Sequence, residues 1–98
     1  LDLTTTGVTV LYTAAAAKTA IFKSILVSED SGNADTITVT ITDADAAIFS
    51  LFKVKAVGAN TTVELLTAPL VVETGEIIKV TAATANRLHV VASYLEVS

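Results

Sequence analysis

The sequence predicts an all-β protein, a single antiparallel β-sandwich of about seven to eight strands with a jelly-roll or immunoglobulin-like arrangement. Thr and Val are concentrated in runs where apolar and polar residues alternate, which is the period of a half-buried strand. Turn residues separate these runs at the spacing of roughly 8–12 residues that is typical of a sandwich. No helix-length segment stands between the runs, as a parallel sheet would require.

The clearest strand is Thr36–Thr42, in which Ile37, Val39 and Ile41 occupy one face and threonines the other. Pro69 should interrupt the stretch Thr62–Val72, because proline cannot donate a hydrogen bond within a central ladder. The remaining strands are predicted at Gly7–Thr13, Thr19–Ser28, Ile77–Thr81 and Leu88–Val97.

Two connections need a separate interpretation. Asp30–Asn33 has the composition of a turn, so Ile21–Thr42 is interpreted as an antiparallel hairpin. Asp43–Val57 is ambiguous, because its apolar residues have helical spacing while its second half alternates. A short helical turn near Asp45 followed by a strand is preferred to a helix over the whole segment.

Length and composition limit the class of protein. The 98 residues fit one domain, residues 1–98. Without Cys, the chain is neither a disulfide scaffold nor a zinc finger. A net charge of −4 argues against a nucleic-acid partner. The longest uncharged run, Leu3–Ala17, is shorter than the ~20 apolar residues of a membrane helix, and no basic segment typical of a signal peptide is visible, so no membrane partner is expected.

Hydrophobic residues make up 52% of the chain and charged residues only 16%, and the apolar surplus lies on strands with two apolar faces. Either a β-bulge shifts the phase of such a strand, or another subunit covers its outer face. Both explanations stay open at this point. The interface candidates on these second faces are Phe22, Leu26, His89, Val91, Leu95 and Val97.

Candidate chemistry is sparse. His89 is the only histidine, and Ser93 on its own strand face is too far along the strand to be activated by it. Acidic turn residues could supply oxygen ligands to calcium, but they lack the full spacing of an EF-hand loop. These weak calcium candidates are Asp30, Asp35, Asp43 and Asp45. The sequence therefore predicts no catalytic residues, no metal site and no cofactor.

A series of short segments along nearly the whole chain resembles the small β-sandwich virion proteins of tailed bacteriophages. The segments that carry the resemblance are Leu11–Thr13, Lys18–Ala20, Lys23–Ile25, Ser31–Gly32, Thr38–Thr40, Glu64–Leu66, Pro69–Glu76, Ile78–Ala82 and Val90–Glu96. They are strand and turn signatures rather than catalytic motifs.

The resemblance implies a non-enzymatic structural protein of the virion, assembled in the host bacterial cytoplasm. The role expected first is a capsid decoration or cement protein on the head, with the major capsid protein or other virion proteins as partners. A homo-oligomer, either a trimer or a dimer, is expected. The alternatives are a tail, neck or fibre-base protein and, in another class, a carbohydrate- or receptor-binding module.

Overall fold

The computed structural model describes residues 1–43, 45 and 47–97, and every regular element in that part of the chain is a β-strand. The all-β prediction is confirmed. The eight strands are β1 (Thr9–Thr13), β2 (Thr19–Glu29), β3 (Asp35–Thr42), β4 (Ile48–Val57), β5 (Thr62–Glu64), β6 (Leu70–Val72), β7 (Ile77–Ala82) and β8 (Leu88–Val97). The stretch interrupted by Pro69 forms two short strands, because proline removes a ladder donor there.

The strands form two antiparallel sheets, as expected for a β-sandwich. One sheet has the order β1-β7-β3-β4 and is called the β3 sheet. The other, called the β2 sheet, is built around the long strand β2. Strand β8 pairs with β2 along its whole length, so β5 and β6 lie one after the other along the opposite edge of β2.

The predicted hairpin over Ile21–Thr42 is wrong. Strands β2 and β3 are consecutive but belong to different sheets, so the turn between them crosses the sandwich. Turn composition does not distinguish a hairpin from a crossing, because both require a polar, tightly bent chain. Glu29, the last residue of β2, stabilises this turn. Its carboxylate accepts hydrogen bonds from the backbone N–H groups of Ser31, Gly32 and Asn33.

The ambiguous segment after β3 forms strand β4, and a helix over the whole of it is wrong. The strand begins at Ile48, earlier than its alternating half suggested. The Asp43 side chain accepts the backbone N–H groups of Asp45 and Ala47, each at 2.9 Å, immediately before the strand. The predicted helical turn near Asp45 falls partly on residues 44 and 46, which lie outside the described residues.

The core lies between the sheets and draws on both of them. From the β2 sheet it contains Phe22, Ile25 and Val27, which are completely buried. The β3 sheet contributes a matching set of β-branched residues, Ile37, Val39, Ile78 and Val80. Fully burying one such side chain stabilises the fold by roughly 1.5–3 kcal/mol, so this layer is the main stabilising element.

The first residues pack against the start of β8. Leu3 is buried, and its backbone N–H donates to the carbonyl of Leu88 at 2.9 Å. The N–H of Val90 donates to the carbonyl of Leu1 at 2.8 Å. Residues 1–3, called the arm, therefore lie along β8 of their own chain.

Candidate functional site: the outer face of the β2 sheet

A bulge in β2 determines which side chains reach the outer face. The pairing of β2 with β8 shifts between Phe22 and Ser24, so that Lys23 has no partner residue on β8. A bulge changes the alternation of the strand by one residue. Phe22, Ile25 and Val27 consequently all point into the core, although strict alternation would separate Phe22 from the other two.

Phe22 is therefore wrong as an interface candidate. Its side chain is 0% exposed and packs against two tyrosines of neighbouring strands. The ring centroid of Tyr12 lies 5.2 Å away in an edge-to-face arrangement, and that of Tyr94 lies 4.9 Å away in a stacked one. For β2, the bulge moves Phe22 to the core side and leaves Ile21 and Leu26 on the opposite face.

The same explanation does not apply to β8, whose own residues continue in register past the bulge. Leu88 and Val90 are buried, whereas the alternate residues are exposed. Val91, Leu95 and Val97 are 48%, 52% and 47% exposed. This strand has a second apolar face that nothing in the described part of the chain buries.

Cross-strand pairing places these side chains in two groups on the same side of the sheet, with Lys23 and the Ser24–Ser93 pair between them. Ile21 of β2 pairs with Leu95 on one side and with Val71 of β6 on the other. Leu26 of β2 pairs with Val91. The resulting surface, called the outer face, consists of Ile21, Leu26, Val71, Val91, Leu95 and Val97. Ile21 and Leu26 are half-buried by their neighbours, and the other four are about half exposed.

Polar groups border the outer face at β5. Glu64 accepts hydrogen bonds from the Ser24 hydroxyl and from the backbone N–H of Ile25, the latter at 2.9 Å. Burial raises the pKa of this carboxyl, but the hydrogen bonds from Ser24, Ile25 and Leu66 outweigh it and lower the pKa overall. Glu64 is thus a fixed anion next to the apolar surface, which fits the polar rim of a protein interface.

His89 lies at the arm end of the same sheet face. It is exposed, and its Nδ1 contacts the Asp2 carboxylate of the arm. The hydrogen bond with His89 is the main reason that the pKa of Asp2 lies below its usual value. His89, an interface candidate, is therefore exposed on this face, and it also binds the arm through Asp2.

Sequence reasoning missed the residue opposite His89. Ser28 of β2 pairs with it, so Ser28, His89 and Asp2 follow one another across the sheet. The Ser28 hydroxyl lies 3.3 Å from that of Thr62, and no hydrogen bond links it to His89 among the described residues. These three residues therefore lack the serine–histidine contact that nucleophile activation requires. Ser28 and His89 are far apart in the sequence, so only knowledge that β2 pairs with β8 could have placed them together.

The calcium candidates do not converge. Asp35 is buried and accepts the backbone N–H of Thr84 at 3.0 Å, and Asp43 accepts the two N–H groups described above. Asp30 and Asp45 are exposed. Within residues 1–43, 45 and 47–97, no group of three His, Asp or Glu side chains is placed to hold a metal ion. Asp35 and Asp43 instead accept hydrogen bonds from the backbone of their turns.

Glu29 has a structural role that its place in an acidic turn does not reveal. It is 1% exposed, and besides the three N–H groups of its own turn it accepts the Ser31 hydroxyl and the N–H of Asn60. The hydrogen bonds from Ser31 are the largest cause that lowers its pKa from 4.5 to about 2, against an opposing effect of burial. Glu29 thus joins two turns at the end of the sandwich.

No protein-family model matches the chain, and no match was found among curated proteins or solved structures. Among the described residues, no helix is long and apolar enough to span a membrane. The surface of the molecule is therefore the main indication of its function.

Proposed function

We propose that this chain is a non-enzymatic structural subunit of a tailed-bacteriophage particle, most specifically a decoration or cement protein on the head. The observation that carries the proposal is the outer face, where four large apolar side chains are each about half exposed on one side of one sheet. Contiguous apolar patches on small proteins commonly mark the surfaces by which they bind other proteins. The resemblance of the strand and turn segments to phage virion proteins supplies the kind of partner.

The physical properties of the chain suit this role. An assembly protein needs a rigid scaffold and a surface that loses water on binding, and it needs no reactive groups. The scaffold is supplied by a core shared between both sheets, without any disulfide. The binding surface lies on one side of a β-sheet, where its apolar side chains flank the exposed Lys23 of the β2 bulge. Burying apolar area of this kind contributes roughly 25 cal/mol per Å².

Binding to empty capsid shells of the phage that encodes the chain tests the proposal. The purified protein should bind the shells saturably and raise their melting temperature. Leu95→Ser should weaken this binding, because it removes an apolar contact from the outer face. Val10→Ser is the matched control, since Val10 is equally exposed but lies on the β3 sheet. Absence of saturable binding, or equal losses in both variants, would contradict the head-decoration role.

A tail, neck or fibre-base location is the alternative within the particle. It uses the same outer face against a different neighbour. Saturable binding to purified tails, with no binding to shells, would select this alternative. In that case Leu95→Ser should weaken binding to tails, and Val10→Ser should not.

A carbohydrate- or receptor-binding module is the second candidate function, favoured by a separate observation. An open pocket of about 480 Å³ lies beside the arm, and polar side chains reach it from three parts of the chain. Its polar lining includes Asp2, Asp30, Asn86, Arg87 and His89. Carboxylate, amide and guanidinium groups provide the donors and acceptors that sugar hydroxyls require. Saturable glycan binding that is lost in Asp30→Asn, without affinity for phage particles, would favour this function.

A further inference from the structure

The two sheets have several edges, and among the described strands only one edge lacks the usual protection against pairing. Strands β5 and β6 contain three residues each. Strand β4 carries Lys53 and Lys55, with Val54 between them in a left-handed conformation at φ 53°. Strand β1 contains five residues and a register shift. Short length, lysines and bulges are established ways of blocking an exposed edge.

Strand β8 has none of these features in the part that the arm does not cover. The arm pairs only with its first residues, Leu88–Val90. Residues 91–97 have no partner strand on that side in the described part of the chain. They contain neither Pro nor Lys, and their one charged side chain, Glu96, accepts the Tyr12 hydroxyl at 2.8 Å. An extended, apolar and unprotected edge is a template for another strand.

The hydrogen bonds of the arm show which backbone groups face this edge. Leu88 and Val90 direct their carbonyls to the arm, and Val90 also directs its N–H there. Backbone groups alternate in direction along a strand, with a period of two residues. Ala92, Tyr94 and Glu96 therefore present their N–H and C=O groups at the open edge.

We propose that β8 pairs antiparallel with β8 of a second copy of this chain, about a two-fold axis at Tyr94. In this register Tyr94 faces Tyr94 of the second copy, and Ala92 faces Glu96. Ala92, Tyr94 and Glu96 of each copy then each form two backbone hydrogen bonds with the residue opposite in the other copy. A register centred earlier runs into the arm, and a later one pairs fewer of the residues that the structure describes. The interface is isologous, as in most dimers.

The side chains are complementary in the same register. On the outer face Val91 lies opposite Val97 and Ser93 opposite Leu95, so apolar and small residues meet. On the inner side Glu96 lies opposite Ala92, and no like charges are directly opposed. The two outer faces then lie on the same side of one joined sheet, in which each copy contributes a half that is three strands wide. The use of this dimer in a particle rests on the proposed function, whereas its formation does not.

A charge-pair experiment tests both the edge and its register. Val91→Lys combined with Val97→Lys places lysine opposite lysine twice in the dimer, and should abolish or strongly weaken association. Val91→Lys combined with Val97→Glu places lysine opposite glutamate at the same two places and should retain the dimer. Given the usual size of cross-strand charge effects, the dissociation constants should differ roughly tenfold or more. Thermal melting of both double variants verifies that each is folded.

Sedimentation velocity of the wild-type chain and both variants over a range of concentrations gives the readout. The wild type should approach twice its 10.1 kDa mass as concentration rises. Its amides at Ala92, Tyr94 and Glu96 should become protected from hydrogen exchange over the same range. A wild-type monomer, or equal association of the two variants, would overturn the proposal. Shell binding by the wild-type chain is measured separately. A dimer that does not bind shells would contradict only the proposed function, and a monomer that binds shells would contradict only the dimer.

Discussion

Tyr94 of β8 stacks on Phe22 of β2, with ring centroids 4.9 Å apart and planes inclined by 23°. The two residues are also direct cross-strand partners, immediately before the bulge. This contact holds Tyr94 on the core side of β8 and therefore turns Leu95 to the outer face. The phase of β8, and with it the composition of the outer face, depends on this pair.

The position of Phe22 in the core gives a first test. Phe22→Ala should lower the free energy of unfolding by about 3–5 kcal/mol, because it leaves a cavity between the sheets. Leu95→Ala should cost much less, since Leu95 is 52% exposed. Urea unfolding of both variants provides the comparison. Equal losses in the two variants would contradict the placement of these residues on opposite faces.

Glu29 gives the fold a specific acid sensitivity. Its pKa falls from 4.5 to about 2 on folding, so its contribution to stability is complete above pH 4.5 and is lost as the pH falls through 2. Glu29→Gln should be less stable than the wild type at neutral pH and should show a weaker decline between pH 4.5 and 2. The remaining decline comes from other carboxyls whose pKa is lowered in the folded protein, such as that of Glu64. Urea unfolding at several pH values measures the effect.

Asp30→Asn is the matched control for this prediction. Asp30 is the next residue, but it is exposed and accepts no hydrogen bond from the described residues. The variant should keep the wild-type dependence of stability on pH. If both variants showed a similarly weakened decline of stability with acid, the net charge of the turn, rather than the hydrogen bonds to Glu29, would cause the acid sensitivity.

Tyr12 should titrate unusually late. Its burial, together with the hydrogen bond that it donates to Glu96, raises its pKa to about 12. The raised pKa means that the stability contributed by this group is complete below pH 10 and is lost as the pH rises through 12. Spectrophotometric titration should show a tyrosinate transition near pH 12 that is missing in Tyr12→Phe. A spectrum in which Tyr12→Phe removes a transition near pH 10 would be incompatible with the contact.

Docking of the arm can be tested through Leu3. This side chain is 1% exposed, so Leu3→Ala should cost about 2–5 kcal/mol. Leu1→Ala should have a small effect, because Leu1 is 42% exposed. Chemical unfolding measures both. If Leu3→Ala were as mild as Leu1→Ala, the arm would not be packed on β8 as described.

Local patterns in the sequence were sufficient to place the strands, but not to pair them. The alternation of Ile37, Val39 and Ile41 with threonines located β3 correctly, because one face of that strand is buried and the other is not. Pairing depends on contacts between distant parts of the chain. The turn after β2 therefore looked like a hairpin, although its strands belong to different sheets.

The candidate surface was predictable in part for the same reason. Val91, Leu95 and Val97 were correctly placed on the second face of β8, because that strand alternates without interruption. Phe22 was misplaced, since a bulge is a local insertion that the apolar pattern of β2 does not reveal. The Glu29 cluster was missed because its donors come from two separate turns.

A reconstruction of the particle proposed to contain this chain would decide whether the outer face is an assembly surface. We expect the chain to occupy regular positions on the particle, with Val91 and Leu95 against a neighbouring protein in every copy. A particle without this chain, or one in which every copy exposes the outer face to solvent, would contradict the proposed function.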